Sequence, residues 1–253
     1  MANPSDYIAV FDSGVGGISV LRELVRQMPN ERFLYFGDSA NAPYGTRSTQ
    51  QVRELTISAA EQLLSRGAKA LVVACNTATS AAIDLLRQRH PDTIIIGIEP
   101  ALKLAADLFP HGNIGVMATP VTLREDRFLQ QVERFPQVNP VLLPAPGLVD
   151  LIEAGKLDTP ETQALLTQIL APYAGKLDAL VLGCTHYPFV KDAISRILGE
   201  NTLLLDGSEG TAKETKRRLD AAGLLSQEKG SVTIENSLGT PEILALSYQL
   251  LQQ

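Results

Sequence analysis

The sequence predicts an α/β fold built from two pseudo-symmetric three-layer α/β/α domains, with parallel-rich sheets and a functional site in the cleft between them. The first observation behind this prediction is that short β-branched runs alternate with longer segments of helical period, as in a parallel sheet covered by helices. The second is a weak internal repeat, in which three strand-ending motifs recur in the same order. No linker rich in proline, glycine or serine interrupts the alternation.

The elements follow from this alternation in chain order. Short runs rich in β-branched and other apolar residues are predicted strands: 8–11, 33–36, 70–74, 94–98, 114–117, 141–143, 179–183, 203–205 and 232–234. The segments between and after them have apolar residues at helical spacing, and the predicted helices include 17–27, 49–66, 77–89, 99–108, 120–135, 160–174, 209–222 and 241–251.

The repeat divides the chain. Its three pairs of motifs have offsets that agree within three residues: IAVFDS with IGVMAT, LVVACNT with LVLGCTH, and TIIIGIEPA with TLLLDGSEGTA. We therefore expect two halves of about one hundred residues, each contributing its third strand to the same cleft. The second set of four strands is complete by Leu205, so the rest of the chain is expected to pack back on the first half. The predicted domains are residues 1–98 together with 208–253, and residues 99–207.

Composition excludes several classes of function. Apolar residues make up 45% of the chain and charged residues 20%, which is ordinary for a soluble enzyme. The net charge of −6 and the lack of a clustered basic face disfavour nucleic acid as a partner. The first residues carry no export signal, and the longest apolar runs are too short to span a membrane. We expect a cytoplasmic protein without a membrane partner.

The chain has two cysteines, Cys75 and Cys184, which lie 109 residues apart. Without a secretion signal a structural disulfide is not expected, because the cytosol keeps thiols reduced. Two cysteines do not make a thiolate zinc site, and the histidines show no ligand spacing around them, so no metal site is predicted. The cysteines are then either inert core thiols or reactive ones.

Their position favours reactivity. In open parallel sheets ligands bind outside the carboxyl ends of strands, and both cysteines directly follow a predicted strand. Each is followed by polar residues and a helical segment, so unpaired backbone N–H groups and the helix dipole are expected to favour the thiolate. The same N–H groups, with the hydroxyls of Thr77 and Thr185, are suited to hold a substrate carboxylate.

A single cysteine after a buried strand is more often a small apolar filler than a nucleophile. The pair favours catalysis, because a pseudo-twofold axis would bring Cys75 and Cys184 face to face across the cleft. Racemisation needs this geometry, since one group removes a proton and the other delivers one to the far face. Both groups must then act as acid and as base, which suits the intermediate pKa of about 8.5 of an unperturbed thiol.

Other polar residues are expected near the same carboxyl ends of the strands. Asp12 ends the first strand and is suited to orient a substrate ammonium or to tune Cys75. The loop after the second strand contains Pro-Tyr-Gly, and Tyr44 and Gly45 are candidates for backbone contacts to a carboxylate. His186 follows the second cysteine by two residues, which favours acid/base assistance to it. Glu153 lies in a connection that faces the predicted cleft.

At these motifs the sequence strongly resembles the glutamate racemase family. The stretches that carry the resemblance are FDSGVGGISVL (11–21), YFGDSANAPYGTRS (35–48), LVVACNTATS (71–80), GIEPALK (97–103), LVLGCTHYP (180–188) and DGSEGTA (206–212). They span nearly the whole chain in the family's order. The family often has Asp-Thr-Ala-Arg where this chain has Asp38-Ser39-Ala40-Asn41, which concerns the loop structure and not the two cysteines.

The resemblance implies interconversion of L- and D-glutamate without pyridoxal phosphate, a metal or another cofactor, supplying D-glutamate for peptidoglycan. It implies a small-molecule substrate and a homodimer. Cys75 and Cys184 match the family's proton-transfer pair, and the predicted catalytic set is completed by Asp12, His186 and Glu153. The positions that match the family's substrate-binding residues are Asp12, Ser13, Tyr44, Gly45, Asn76, Thr77, Thr185 and His186.

Three alternatives remain open at this level. One is a racemase of the same fold for aspartate, hydantoin or a related compound. Another is an NAD-dependent oxidoreductase that uses the first glycine-rich turn, with Asp38 on the ribose; against it, Gly14-x-Gly16 leads to Ser19 where the fingerprint has a third glycine. The last is a two-lobed binding module in which the cysteines are fillers.

Overall fold

The computed structural model of the chain describes residues 2–3, 5–138 and 140–253. Within them it contains two β-sheets in which every neighbouring pair of strands is parallel. The strands are β1 (Ile8–Asp12), β2 (Arg32–Gly37), β3 (Ala70–Val73), β4 (Ile94–Gly97), β5 (Ile114–Ala118), β6 (Val141–Pro144), β7 (Ala179–Leu182), β8 (Leu203–Asp206) and β9 (Ser231–Asn236).

Helices cover both sheets. They are α1 (Ile18–Gln27), α2 (Thr49–Ser65), α3 (Asn76–Arg89), α4 (Leu102–Leu108), α5 (Asp126–Glu133), α6 (Leu148–Glu153), α7 (Pro160–Leu170), α8 (Lys191–Leu198), α9 (Ser208–Ala221) and α10 (Pro241–Gln252). The central strands β1 and β5 are buried along their whole length, which is expected where helices cover both faces of a parallel sheet. None of the helices in the described part of the chain is long and apolar enough to span a bilayer.

The two sheets repeat one topology. Their strand orders are β4-β3-β1-β2-β9 and β6-β5-β7-β8, so each contains four strands in the relative order second, first, third, fourth. The first hydrogen bond beyond each third strand is also equivalent: Ala74 N–H donates to Phe11 O at 2.7 Å, and Gly183 N–H donates to Met117 O at 2.8 Å. The predicted fold class is therefore confirmed.

Three predicted helices differ from the observed ones. The segment 120–135 is interrupted because Glu125 is extended, so a 3-10 turn (Thr122–Arg124) precedes α5. The segment 160–174 leaves the α-helical conformation after Leu170, where Pro172 lacks the N–H that the helix needs. Residue 99 precedes a proline, which disfavours helical backbone, and α4 begins later, at Leu102.

The C-terminal segment lies against the first sheet. β9 pairs with β2, from Arg32 opposite Ser231 to Gly37 opposite Asn236, while α9 and α10 both contact α1. This pairing places the carboxyl end of β9 beside that of β2. The cysteine-bearing loop after β3 begins at the same end of the sheet. The domain boundaries drawn from the sequence stay a prediction.

A buried ion pair holds the segment that leads to β9 against this sheet. The ammonium of Lys69 lies 2.6 Å from Oε2 of Glu31, and both side chains are almost fully buried. Lys69 also donates to the carbonyl of Leu224 at 2.9 Å, while Glu31 accepts from the backbone N–H of Ser226 at 2.9 Å. Each charge is thus satisfied by its partner and by the backbone of the segment that leads to β9.

We predict that Lys69→Met lowers the free energy of unfolding by about 3–5 kcal/mol, because it leaves the carboxylate of Glu31 buried without its counter-ion. Urea denaturation followed by circular dichroism measures the effect. The double variant Glu31→Gln/Lys69→Met should be less destabilised than Lys69→Met alone. Arg217→Met, which removes an exposed ion pair with Glu214, serves as the control and should leave the midpoint unchanged. Equal effects of Lys69→Met and Arg217→Met would contradict the role given to the buried pair.

Candidate active site

Cys75 lies two residues beyond β3, at the N-cap of α3. Its Sγ accepts a hydrogen bond from the backbone N–H of Ala78 at 3.4 Å, so the thiol takes the place of the hydroxyl or carboxylate that usually caps a helix. The Sγ–H of Cys75 in turn donates to the hydroxyl of Ser13, also at 3.4 Å. The predicted place of this thiol at a helix N-terminus is confirmed.

Cys184 occupies the equivalent position two residues beyond β7. Its Sγ lies 3.7 Å from Nδ1 of His186. The chain continues as a 3-10 turn (Tyr187–Val190) and only then as α8, so no α-helix begins directly after this cysteine. Its polar partner is therefore an imidazole, whereas that of Cys75 is a helix N–H and a hydroxyl.

The environment of Cys75 disfavours the thiolate. Burial and, to a smaller extent, the negative charges of Asp12 and Cys184 together raise the pKa of the Cys75 thiol to about 12, against the hydrogen bonds with Ser13 and Ala78. The expectation that the helix N-terminus makes this residue a thiolate is therefore wrong for the site as it stands.

Asp12 makes hydrogen bonds to both halves of the chain within the site. One oxygen, Oδ1, accepts from the backbone N–H of Gly14 at 2.8 Å, and the other accepts from the hydroxyl of Thr185 at 2.9 Å. Burial raises the pKa of Asp12, although the positive charge of His186 and these two hydrogen bonds oppose it. A carboxylate at the end of β1 is thereby fixed beside the loop that carries the second cysteine.

Glu153, the last residue of α6, pairs with His186 and also contacts the first half of the chain. Its Oε1 lies 2.6 Å from Nε2 of His186 and accepts from the backbone N–H of Val15 at 2.7 Å, while its Oε2 accepts from the hydroxyl of Ser39 at 2.9 Å. Burial alone would raise the pKa of Glu153, but these contacts lower it below its usual value. Burial alone would lower the pKa of His186. The contacts of the imidazole with Cys184 and Glu153 nevertheless hold this pKa well above its usual value.

The first glycine-rich turn is filled by these two side chains. A Cβ on Gly14 would lie 1.9 Å from Oε1 of Glu153, and one on Gly16 would lie 2.3 Å from Nδ1 of His186. The glycines thus allow the second half to approach the backbone of the first. Because the carboxylate and imidazole occupy the space where a pyrophosphate would have to lie, the turn does not fit the dinucleotide alternative.

The loop after β2 closes another side of the site. Tyr44 and Gly45 are buried residues of a 3-10 turn (Tyr44–Thr46), and the hydroxyl of Tyr44 donates to Oδ2 of Asp38 at 2.7 Å. Asn41 donates to both oxygens of Asp38 at 3.1 Å. A Cβ on Gly45 would lie 2.6 Å from Cβ of Thr119, so this loop also packs tightly on the second half.

The start of α3 completes the polar lining. The hydroxyl of Thr77 lies 3.3 Å from that of Thr119 and 3.1 Å from that of Thr122, both in the second half. Oδ1 of Asn76 is buried and has no hydrogen-bond partner among the described residues, which leaves an acceptor for a ligand donor. The structure thus brings all the candidate residues of the sequence to one location and adds Ser39, Thr119 and Thr122.

Chemically, the site combines two thiols with carboxylate, hydroxyl and backbone N–H groups. Asp12 is suited to an ammonium, while hydroxyls and helix N–H groups are suited to a carboxylate. No group of three or more His, Cys, Asp or Glu side chains in residues 2–3, 5–138 and 140–253 is arranged to hold a metal ion. The acid/base groups at hand are sulfur, imidazole and carboxylate.

Comparisons with known proteins identify the family of the chain. The model of the Asp/Glu/Hydantoin racemase family matches residues 8–215. The glutamate racemase of Clostridium perfringens (strain SM101) is 48% identical over 249 residues, covering 97% of this chain and 96% of that protein. The glutamate racemase of Clostridium acetobutylicum is 49% identical over 255 residues, covering 99% of each.

Solved structures of glutamate racemases share the fold over nearly the whole chain. The Thermus thermophilus enzyme in complex with β-chloro-D-alanine has a TM-score of 0.84 at 39% identity, covering 98% of this chain and 94% of that one. The Escherichia coli enzyme, in complex with L-glutamate and the activator UDP-MurNAc-Ala, has a TM-score of 0.85 at 28% identity, with the same coverage. The chain, with its two strand-end cysteines, belongs to the aspartate/glutamate/hydantoin racemase family.

Proposed function

We propose that this protein interconverts L- and D-glutamate by proton exchange between the α-carbon and two thiols, Cys75 and Cys184. The observation that carries the proposal is the equivalent position of the two thiols, each two residues beyond the third strand of its own sheet. The choice of glutamate is supported by relatives 47–49% identical over nearly their whole length, each a glutamate racemase.

In the proposed reaction one cysteine, as thiolate, takes the α-proton and becomes a thiol. The other, a thiol on the opposite face, gives its proton to the carbanion and becomes a thiolate. The configuration inverts, and the return reaction exchanges the two roles. The acid/base partners differ: His186 lies beside Cys184, while Asp12 and Ser13 lie near Cys75.

Substrate binding offers a reason why Cys75 becomes reactive. We assign the substrate ammonium to Asp12, whose negative charge helps to raise the pKa of Cys75. A cation paired with Asp12 offsets that charge and so favours the thiolate. The carboxylates of the substrate are assigned to the other polar groups of the site: Ser13, Tyr44, Gly45, Asn76, Thr77, Thr185 and His186.

The remaining parts of the proposal rest on the sequence patterns and on the resemblance to the family. We propose that the enzyme is a cytoplasmic homodimer that needs no cofactor and supplies D-glutamate for peptidoglycan. We also propose domains of residues 1–98 with 208–253, and 99–207, that close over the substrate and exclude water. Equal angles between these domains in structures with and without glutamate would contradict the closing motion.

The first of four predictions from the proposed function concerns activity. The purified protein should abolish the circular dichroism signal of L-glutamate, and of D-glutamate, without any added cofactor, and should act poorly on L-aspartate. Signals that persist for both glutamate enantiomers would refute the proposed function and favour a binding module. Faster loss of the aspartate signal would identify a related racemase of the same fold.

The second prediction concerns the cysteines. Cys75→Ser and Cys184→Ser should each abolish racemisation, because a serine hydroxyl is too weak an acid to replace a thiol as both acid and base. The free energy of unfolding of both variants should lie within about 1 kcal/mol of the wild-type value, since the substitution changes little volume. Either variant with wild-type turnover would contradict the two-thiol mechanism.

The third prediction follows the proton. In D₂O, product glutamate should carry deuterium at the α-carbon, because thiol protons exchange with solvent. Mass spectrometry of the first percent of product formed from unlabelled L-glutamate measures this incorporation. Transfer of the original proton to the product without solvent label would contradict the two-base scheme.

The fourth prediction concerns Asp12. Asp12→Asn should lower the pKa of Cys75, because the carboxylate charge contributes to raising it and the amide has none. Since only the thiolate is alkylated readily, the pH profile for iodoacetamide reaction of Cys75 should move to lower pH. The profile is measured in a Cys184→Ser background, with Cys184→Ser alone as control. An unchanged profile, or one moved to higher pH, would contradict this electrostatic role.

A further inference from the structure

A chain of hydrogen bonds leads away from the Glu153 carboxylate to the end of β9. The amide Nδ2 of Asn236 donates to the hydroxyl oxygen of Ser39 at 2.9 Å, and Ser39 donates to Oε2 of Glu153 at 2.9 Å. Asn236 is the last residue of β9 and pairs with Gly37, two residues before Ser39. The parallel pairing of β9 with β2 is therefore what brings this amide to the site.

The donor and acceptor groups of Asn236 and Ser39 fix the direction of these hydrogen bonds. Oδ1 of Asn236 accepts from the backbone N–H of Leu238 at 3.0 Å, which turns its NH₂ group toward Ser39. The hydroxyl of Ser39 has a single proton and already accepts from this NH₂ group. Its own proton must then go to Glu153, since a carboxylate only accepts. Asn236 thus forces Ser39 to act as a donor.

Both oxygens of the receiving carboxylate accept hydrogen bonds. Ser39 reaches Oε2, while the backbone N–H of Val15 and Nε2 of His186 reach Oε1. Hydrogen bonds of this kind favour the charged carboxylate and fix its orientation. With Nε2 held by Glu153, the imidazole turns its Nδ1 toward Sγ of Cys184.

We propose that Ser39 and Asn236 are positioning residues, which hold Glu153 as the anionic partner of His186 and so align His186 with Cys184. This inference rests on the proposed racemase function for its kinetic consequences, but its geometry does not. Neither residue touches the thiols. Both act through Glu153, and the charged or titratable groups that face His186 are Glu153, Cys184 and Asp12.

The kinetic test compares four variants of this loop region. Ser39→Ala removes the donor, and Asn236→Asp offers Ser39 a second carboxylate to which it can donate, so that Glu153 loses its partner. Each should lower kcat about tenfold, the effect of one hydrogen bond to a charged group, with KM changed less than about twofold. Ser39→Thr keeps the hydroxyl and should retain most of the wild-type kcat.

The matched control is Ser237→Ala. The hydroxyl of Ser237 accepts from the backbone N–H of Ala40 at 2.9 Å, so this variant loosens the same loop without touching Glu153. It should keep kcat and KM. If Ser237→Ala lowers kcat as much as Ser39→Ala, or if Ser39→Ala keeps the wild-type kcat, the positioning role is overturned.

A second readout needs no turnover. NMR titration of the ¹⁵N-labelled imidazoles, with His186 assigned by comparison with His186→Asn, reports the pKa of His186. Ser39→Ala should lower this pKa, because a less stabilised Glu153 carboxylate is a weaker partner for the imidazolium. The same pKa in Ser39→Ala and the wild type would overturn the inference. Failure of the wild type to racemise glutamate would instead refute the proposed function and leave this titration result standing.

Discussion

Hydrogen bonds between the two halves, made at the carboxyl ends of their strands, hold the site together. Asp12 at the end of β1 accepts from Thr185 beyond β7, and Glu153 at the end of α6 accepts from Val15 beyond β1. Both acceptors are carboxylates, that of Asp12 fully buried and that of Glu153 largely buried, so their loss would leave unpaired donors in a region of low dielectric. Together with the hydroxyl contacts of Thr77 to Thr119 and Thr122, these hydrogen bonds fix one cysteine-bearing loop relative to the other.

The scaffold is symmetric and its chemistry is not. The sheets repeat the same strand order, and each cysteine follows its third strand by two residues. Around Cys75 the partners are a helix N–H and a hydroxyl, whereas Cys184 has an imidazole backed by Glu153. A reaction that uses both thiols as acid and as base tolerates this difference, because each thiol needs its own means of balancing charge. The two thiols thus occupy equivalent positions but have different polar partners.

Much of the fold was predictable from the sequence, because strand patterns and the repeat are local signals. The nine strands in the described part of the chain and the strand-end position of the two cysteines follow directly from such patterns. Ser39 and Asn236 were not found in this way, since their contact depends on the pairing of β9 with β2, nearly two hundred residues away. The raised pKa of Cys75 was also missed: a helix N-terminus is visible in the sequence, but the opposing burial and charge of Asp12 are not.

The most direct test of the two-thiol site is a crystal structure with glutamate bound in the cleft. The account predicts that Sγ of Cys75 and Sγ of Cys184 lie on opposite faces of the α-carbon, each about 3.5 Å from it, with the substrate ammonium on Asp12. Glutamate bound with both sulfur atoms on the same face, or with either one out of contact with the α-carbon, would contradict it.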